Sequence, residues 1–177
     1  VKKNKGMICT YTSTIDFYKH QNKIITAINN LNKNKFDIKL NLIGTAYKPA
    51  KKNLLMQLNK IDPKNNFITY HGSLNSLQIK KLYSKSDFLI FASSCENLPN
   101  ILLEKMATGL PIACSRKRPM TDILEKNGVY FDYNSISDIE NCIIRLVNMI
   151  GKNDYSSKEV TNRAKKYTWS KCKTETI

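Results

Sequence analysis

Two carboxylates, Glu96 and Glu104, are separated by seven residues in a stretch that begins and ends in apolar runs. Residues 89–91 and 110–114 form the two runs, and small and polar residues follow the first of them. Pro99 suits the first turn of an amphipathic helix, where its missing N–H costs nothing. The pattern predicts a buried strand, a loop, a helix and a second buried strand, as in a parallel sheet.

This arrangement suits a ligand that carries phosphate. A helix that begins at the carboxyl end of a strand offers free N–H groups and a positive dipole end. Because Glu96 lies in the loop and Glu104 inside the helix, they should reach different parts of one elongated ligand. A sugar hydroxyl, a diphosphate and a ribose would fit that spacing. From spacing alone, two solvated surface glutamates are an equally good interpretation.

The remainder of the chain alternates strand and helix patterns in the same way. This alternation predicts an α/β doubly wound domain with a mostly parallel six-stranded sheet and helices on both faces. A cap at residue 75 or 76 predicts a helix to about residue 84, with Leu77 and Tyr83 among the residues that face inward. The predicted strands are residues 6–12, 38–43, 67–70, 89–91, 110–114 and 128–131, and the other main helices are residues 19–31, 49–59 and 137–150.

Composition narrows the class of protein. The formal charge is +15 and the pI is near 9.6, which would attract phosphate, nucleic acid or anionic lipid. Lysines spread along the chain without a nucleic-acid-binding motif argue against a nucleic-acid partner. The five cysteines lack metal-ligand spacing and suit reduced core thiols, except Cys95 beside Glu96. No apolar run is long enough to cross a membrane, and Val1 suggests a fragment of a longer protein.

The stretch from Glu96 through Glu104 to Gly109-Leu110-Pro111-Ile112 resembles the signature of retaining nucleotide-sugar glycosyltransferases of family 4. Such enzymes have two Rossmann-like domains, the GT-B fold. The resemblance implies that the chain is the C-terminal, donor-binding domain, with residues 1–151 as the nucleotide-sugar-binding domain. Residues 152–177 are then expected to form a helical tail, with Trp169 at its bend, that crosses to an N-terminal domain.

The resemblance also implies roles for individual residues. Glu96 is expected to contact the donor sugar and act in catalysis, and Glu104 to bind the ribose. Lys19 is expected to bind the diphosphate, whereas Ser13 stands near the position where relatives carry an arginine. Either Lys19 and the helix end hold the phosphates alone, or another cation reaches the site; an ordinary solvated lysine is the alternative for Lys19. The other expected donor-binding residues are Gly44, Gly72, Leu74, Asn97, Leu98, Pro99 and Asn100.

The expected activity is therefore that of a hexosyltransferase in the full-length protein, with the isolated domain nearly inactive. The resemblance implies no cofactor and no metal, and the absence of an Asp-x-Asp motif in the chain agrees with this. The substrate would be a UDP- or GDP-sugar. The resemblance implies a glycan or lipid-linked acceptor of surface polysaccharide, lipopolysaccharide or capsule. A cytoplasmic location with peripheral contact to the anionic inner membrane face follows. The alternatives are a non-catalytic nucleotide-binding or regulatory domain, a related phosphorylase or epimerase, and a basic nucleic-acid- or membrane-surface-binding protein.

Overall fold

The computed structural model describes residues 6–167 as one alternating series of strands and helices. The strands are β1 (Met7–Thr12), β2 (Ile38–Ile43), β3 (Ile68–Tyr70), β4 (Phe88–Phe91), β5 (Ile112–Ser115) and β6 (Val129–Phe131). The helices are α1 (Gln21–Lys33), α2 (Lys48–Ile61), α3 (Ser76–Tyr83), α4 (Asn100–Ala107), α5 (Met120–Leu124), α6 (Ile136–Gly151) and α7 (Ser157–Ala164). Two 3-10 turns span Phe17–Lys19 and Glu125–Asn127.

The six strands form one parallel sheet in the order β3-β2-β1-β4-β5-β6. This order confirms the predicted doubly wound α/β fold, because the chain winds outward from β1 in one direction and from β4 in the other. The central strand β4 is completely buried, which explains why its sequence is a continuous apolar run.

Alternate side chains of the strands enter two separate apolar cores. On β4, Phe88 and Ile90 pack with residues of α1, α2 and α6 on one face. Leu89 and Phe91 pack on the opposite face with residues of α4, α5 and α7. Because side chains along a strand alternate between faces, one short strand supports both cores. The helices are thereby held close to the sheet on both of its faces.

Three details differ from the sequence prediction. The helix predicted from Lys19 begins at Gln21, because His20 has a left-handed backbone with φ of 53°. Pro99 is the residue before α4 rather than part of its first turn. The prediction that Leu77 faces inward is wrong, because its side chain is 77% exposed. The inward face of the short α3 consists of Ile79, Leu82 and Tyr83.

The first part of the predicted tail packs on the domain itself. Helix α7 lies against α4, and Val160 is buried in the second core. The hydroxyl of Tyr155 donates to the carbonyl of Leu110 at 2.9 Å, which fixes the connection between α6 and α7. Trp169 and the predicted crossing to another domain lie outside the described residues. Within residues 6–167, no helix is both long and apolar enough to span a bilayer.

Candidate functional site

The site lies where the winding direction of the sheet reverses, between β1 and β4. The chain leaves β1 toward β2 and leaves β4 toward β5, so a crevice opens at the carboxyl ends of the two strands. Residues 13–20 and 92–99 form the loops on either side of it. The backbone N–H of Ser94 donates to the carbonyl of Tyr18 at 2.9 Å, which joins the two loops.

These loops bring Lys19 and Glu96 together as an ion pair between Nζ and Oε1. The two side chains are only 7% and 15% exposed, so solvent screens the pair weakly. The Lys19 ammonium also lies 4.8 Å from the ring centroid of Tyr18 and 5.8 Å from that of Phe91. The interpretation of Lys19 as an ordinary solvated lysine is therefore wrong.

A 3-10 turn between β1 and α1 directs Lys19 toward the crevice. The Asp16 carboxylate accepts from the N–H of Phe17 and begins a 3-10 turn that ends at Lys19. His20 then takes the left-handed conformation that separates this turn from α1. The hydroxyl of Tyr11 donates to the carbonyl of Lys19 at 2.5 Å, which ties the turn to β1. The lysine is consequently held by the turn before the helix rather than by the helix itself.

Glu96 and Glu104 line different clefts. Glu96 lines a cleft of about 550 Å³ together with Tyr18, Cys95, Asn97 and Leu98. Glu104 is exposed on α4 and lines a second cleft of about 530 Å³, whose other lining residues are Ser76, Ile79, Lys80, Tyr83, Ala107 and Thr108. The two carboxylates therefore line separate clefts, and the expectation that one elongated ligand reaches both stays a prediction.

The two predicted glycines connect the loops that follow three strands. The N–H of Gly44 donates to the carbonyl of Gly72 at 2.8 Å, and Gly44 and Gly72 have φ of +147° and +69°. A Cβ atom on Gly44 would lie 1.9 Å from the carbonyl oxygen of Ser13, so only glycine fits there. Leu74 is half-buried in the loop after β3. These backbone contacts join the loops that follow β1, β2 and β3.

The segment between the carboxylates leads into the amino end of α4. Asn97, Leu98 and Asn100 are exposed, whereas Pro99 is buried as the N-cap residue and its side chain provides no hydrogen-bonding cap. The first turn of this helix contains no acidic residue. The N–H groups of Asn100 and Leu102 donate to the carbonyls of Leu98 and Pro99, so the sequence-based expectation of several free N–H groups here is wrong. Because no carboxylate compensates it, the positive partial charge of the helix end remains available to an anion.

Sequence reasoning missed one residue of this region, Lys105. It lies between Glu104 and Met106 and is completely buried beneath the loop that follows β1. Its signal in the sequence is a single lysine on a helix face that is otherwise apolar. Surface lysines are so common in this chain that the pattern alone does not set it apart.

Within residues 6–167, no three or more His, Cys, Asp or Glu side chains are grouped so as to hold a metal ion. His71 lies at the carboxyl edge of the sheet, where its Nε2 is 2.8 Å from Oδ1 of Asn41. This hydrogen bond gives His71 a structural partner. That donor binding needs no metal stays a prediction.

The family profile described as "Glycosyl transferases group 1" matches residues 1–167. The match covers nearly the whole chain, and the chain belongs to this family of glycosyltransferases. Its fold, a Rossmann-like domain of the GT-B superfamily, agrees with that membership.

Individual relatives are distant and longer than this chain. The chain is 24% identical over 136 residues to O-antigen chain mannosyltransferase B of Escherichia coli, a match that covers 77% of the chain and 36% of that protein. The solved structure of sucrose-phosphate synthase from Thermosynechococcus elongatus has a TM-score of 0.81, 18% identity, and coverage of 97% of this chain and 44% of that one. HepE of Anabaena, solved in complex with UDP and glucose, has a TM-score of 0.74, 17% identity, and coverage of 90% and 42%. These structures share the fold, and the chain spans less than half of each of these three relatives.

Proposed function

We propose that this chain is the donor-binding domain of a retaining glycosyltransferase of family 4 that transfers a hexose from a nucleotide sugar. The observation that carries the proposal is the Lys19–Glu96 pair at the switch point of the sheet, beside the uncapped amino end of α4. A cation and a helix end are suited to a diphosphate, and a carboxylate at its side is suited to sugar hydroxyls. The complex of HepE with UDP and glucose supports the same ligand class.

The donor is proposed to lie across both clefts. The base would rest on the loop that contains Gly72 and Leu74, and the ribose hydroxyls would donate to Glu104. The diphosphate would lie at the amino end of α4 near Lys19, with Asn97 to Asn100 following its length. The sugar would then enter the cleft lined by Glu96.

In this structure Lys19 and Glu96 form an ion pair with each other, so donor binding must separate them. The diphosphate replaces Glu96 as the partner of Lys19, and Glu96 is released to accept hydrogen bonds from the sugar. As the glycosidic bond breaks, negative charge develops on the diphosphate, and Lys19 with the positive amino end of α4 stabilises it. Glu96 fixes the sugar close to the reacting carbon.

Substitutions of Glu96 and Lys19 should have different effects on the sugar end and the diphosphate end of the donor. Glu96→Gln frees Lys19, so UDP or GDP without a sugar should bind roughly threefold to tenfold more tightly, a gain of about 0.7–1.4 kcal/mol. The matching nucleotide sugar should lose its advantage over the free nucleotide. Lys19→Met should weaken both ligands at least tenfold. If Glu96→Gln weakened UDP, GDP and their sugars equally, Glu96 would not be the sugar-side residue.

Calorimetric titration of the chain with UDP, GDP and their sugars tests which nucleotide binds. Glu104→Gln should weaken the preferred nucleotide about tenfold, because the ribose loses a charged acceptor. Glu159→Gln is a matched control, since Glu159 lies on α7 and pairs with Lys126. Absence of binding at millimolar nucleotide by the folded chain would contradict the proposal.

The activity of the whole protein is a broader part of the proposal. Acceptor binding and further catalytic groups are proposed to lie outside this chain, because it spans only 36% of the mannosyltransferase relative. That relative acts on O-antigen, and another solved structure is a lipopolysaccharide outer core galactosyltransferase with a TM-score of 0.77. We therefore infer a surface glycan or lipid-linked acceptor, used at the cytoplasmic face of an anionic membrane. Transfer by the full-length protein to purified carrier lipid tests this part.

A further inference from the structure

Lys105 is a buried lysine directly beneath the candidate donor site. Its side chain is 0% exposed, and its ammonium donates to the carbonyl of Thr12 at 2.8 Å. Thr12 is the last residue of β1 and immediately precedes the loop that carries Lys19. Lysine is almost never fully buried unless it is paired, so this position requires an explanation beyond packing.

Aromatic rings from two strands and one helix surround the ammonium. It lies 5.9 Å from the ring centroid of Tyr11, 6.0 Å from that of Tyr83 and 5.7 Å from that of Phe91. Phe91 is also the ring above which the Lys19 ammonium lies, at 5.8 Å. The two cations therefore approach the same small region, one from the loop and one from beneath it.

The buried position disfavours the charged form of this lysine. Burial lowers the pKa of Lys105 to about 7, the Glu104 carboxylate opposes this effect, and the Lys19 ammonium adds to it. A lysine with a pKa near 7 changes charge near neutral pH. An added negative charge close by would favour its protonated form.

The charges around the site explain why a bound anion would act on Lys105. Lys19 is paired with Glu96, and the Glu104 carboxylate and the Lys105 amine also act on this region electrostatically. When Lys105 is neutral, these four groups sum to a negative charge, which opposes binding of a diphosphate. Protonation of Lys105 removes that opposition.

We propose that Lys105 is the second cation of the donor site, and that it takes up a proton from solvent when a nucleoside diphosphate sugar binds. It acts on the donor through its charge and through the Thr12 carbonyl, without touching the ligand. This inference rests on the proposed function and adds to it a coupling between donor affinity and pH.

Three groups around Lys105, and the two histidines elsewhere in the domain, do not change charge in the same range. Burial raises the pKa of Tyr11 on β1 and of Cys114 on β5, and it raises the pKa of Tyr83 on α3 to about 12. All three therefore stay neutral between pH 6.5 and 8.5. Burial lowers the pKa of both His20 and His71 below the usual histidine range, so their charge changes occur at more acidic pH.

The size of the effect follows from linkage. An opposite charge a few ångströms away shifts a pKa by roughly 1–3 units. If the bound donor raises the pKa of Lys105 by about 1–1.5 units from its value of about 7, the donor Kd rises roughly fivefold to tenfold between pH 6.5 and 8.5. Binding near pH 7.8 then takes up roughly half a proton or more per nucleotide sugar.

The experiment is calorimetric titration of the chain with UDP-glucose and with GDP-mannose between pH 6.5 and 8.5. A nucleotide sugar is used because its diphosphate carries no phosphate monoester that titrates in this range. A Cys95→Ser background removes the exposed thiol beside Glu96. Repetition in two buffers of different ionisation enthalpy counts the protons taken up on binding.

Two variants separate the charge of Lys105 from a structural role. Lys105→Met keeps the length and apolar contacts of the side chain but cannot be charged, so it should bind the donor more weakly at pH 6.5, without pH dependence and without proton uptake. Lys85→Met is the matched control: Lys85 is exposed at the amino end of β4, away from the carboxyl edge of the sheet, and the variant should behave like the parent. Circular dichroism at each pH establishes that the variants are folded.

Two results would overturn the inference while leaving the proposed function in place. One is donor binding by the parent with no proton uptake, a measurement that does not depend on any variant. The other is a folded Lys105→Met chain that retains the pH dependence of the parent. If the parent bound neither nucleotide sugar at any pH, both the proposed function and this inference would be wrong.

Discussion

Gly44→Ala should damage both the fold and the candidate site, and it should destabilise the fold much more than Gly72→Ala does. A methyl group on Gly44 would lie 1.9 Å from the carbonyl oxygen of Ser13 and 2.7 Å from its carbon, both backbone atoms. The backbone at φ of +147° adds strain of roughly 1–3 kcal/mol for any residue with a Cβ. Strain and overlap together should lower the free energy of unfolding by at least about 3 kcal/mol.

Gly72→Ala is a matched control in the same hydrogen-bonded junction. Its φ of +69° also disfavours alanine, by about 1–2 kcal/mol, but a Cβ there meets nothing within 4 Å. Any stabilisation from reduced freedom of the unfolded chain is shared by both substitutions. The difference between them therefore isolates the overlap with Ser13.

Urea unfolding of the two variants and the wild type measures this difference. The loop that carries Ser13 also carries Lys19, so its displacement in Gly44→Ala should weaken nucleotide binding more than tenfold. For a chain of this size, the melting temperature should fall by roughly 6–12 °C in Gly44→Ala and 2–8 °C in Gly72→Ala. Equal losses of stability in the two variants would refute the close contact between Gly44 and Ser13.

Two further predictions concern buried charges. The N–H groups of Asn66, Phe67 and Ile68 each donate to the Asp62 carboxylate at 2.8 Å. Burial alone would raise the pKa of Asp62, but these hydrogen bonds outweigh the effect of burial and lower the pKa. Asp62→Asn should therefore lower the free energy of unfolding by about 2 kcal/mol at pH 7, measured by urea unfolding. This loss should shrink below about pH 4, because the wild-type carboxylate then protonates and its stabilisation disappears. A loss independent of pH would contradict this. For Lys105, the folded pKa of about 7 lies below the unfolded value of 10.5, so the unfolded chain binds more protons between these values and stability rises with pH. The difference in free energy of unfolding, wild type minus Lys105→Met, should increase by about 2–4 kcal/mol from pH 7 to pH 10. A difference that stays constant with pH would mean that Lys105 is not a titrating buried amine.

The fold was predictable because every strand carries its own pattern. A continuous apolar run marks the fully buried β4, and the paired turn and cap residues around Asn75 mark the start of α3, where the capping box with Gln78 is present. The predicted bounds of β2, Ile38–Ile43, are confirmed without change. Local chemistry and tertiary structure agree at these positions.

The details of the site were less predictable because they depend on long-range contacts. Lys19 and Glu96 are 77 residues apart, and only the order of strands in the sheet brings them together. The left-handed conformation of His20 interrupts a helix pattern that otherwise extends back to Lys19. Lys105 resembles any other lysine in sequence, and its burial follows from the position of α4 over β1 and β4.

The most direct measurement of the central claim is the amide spectrum of the isotopically labelled chain during titration with UDP, GDP and their sugars. The account predicts that one nucleotide shifts the amides of residues 72–74, of Glu104 and of the first turn of α4. Addition of the corresponding sugar should extend the shifts to residues 95–97, with residues 152–167 unchanged as an internal control. Shifts confined to a surface away from the crevice between β1 and β4, or no shifts at millimolar nucleotide, would contradict a donor site at the switch point of the sheet.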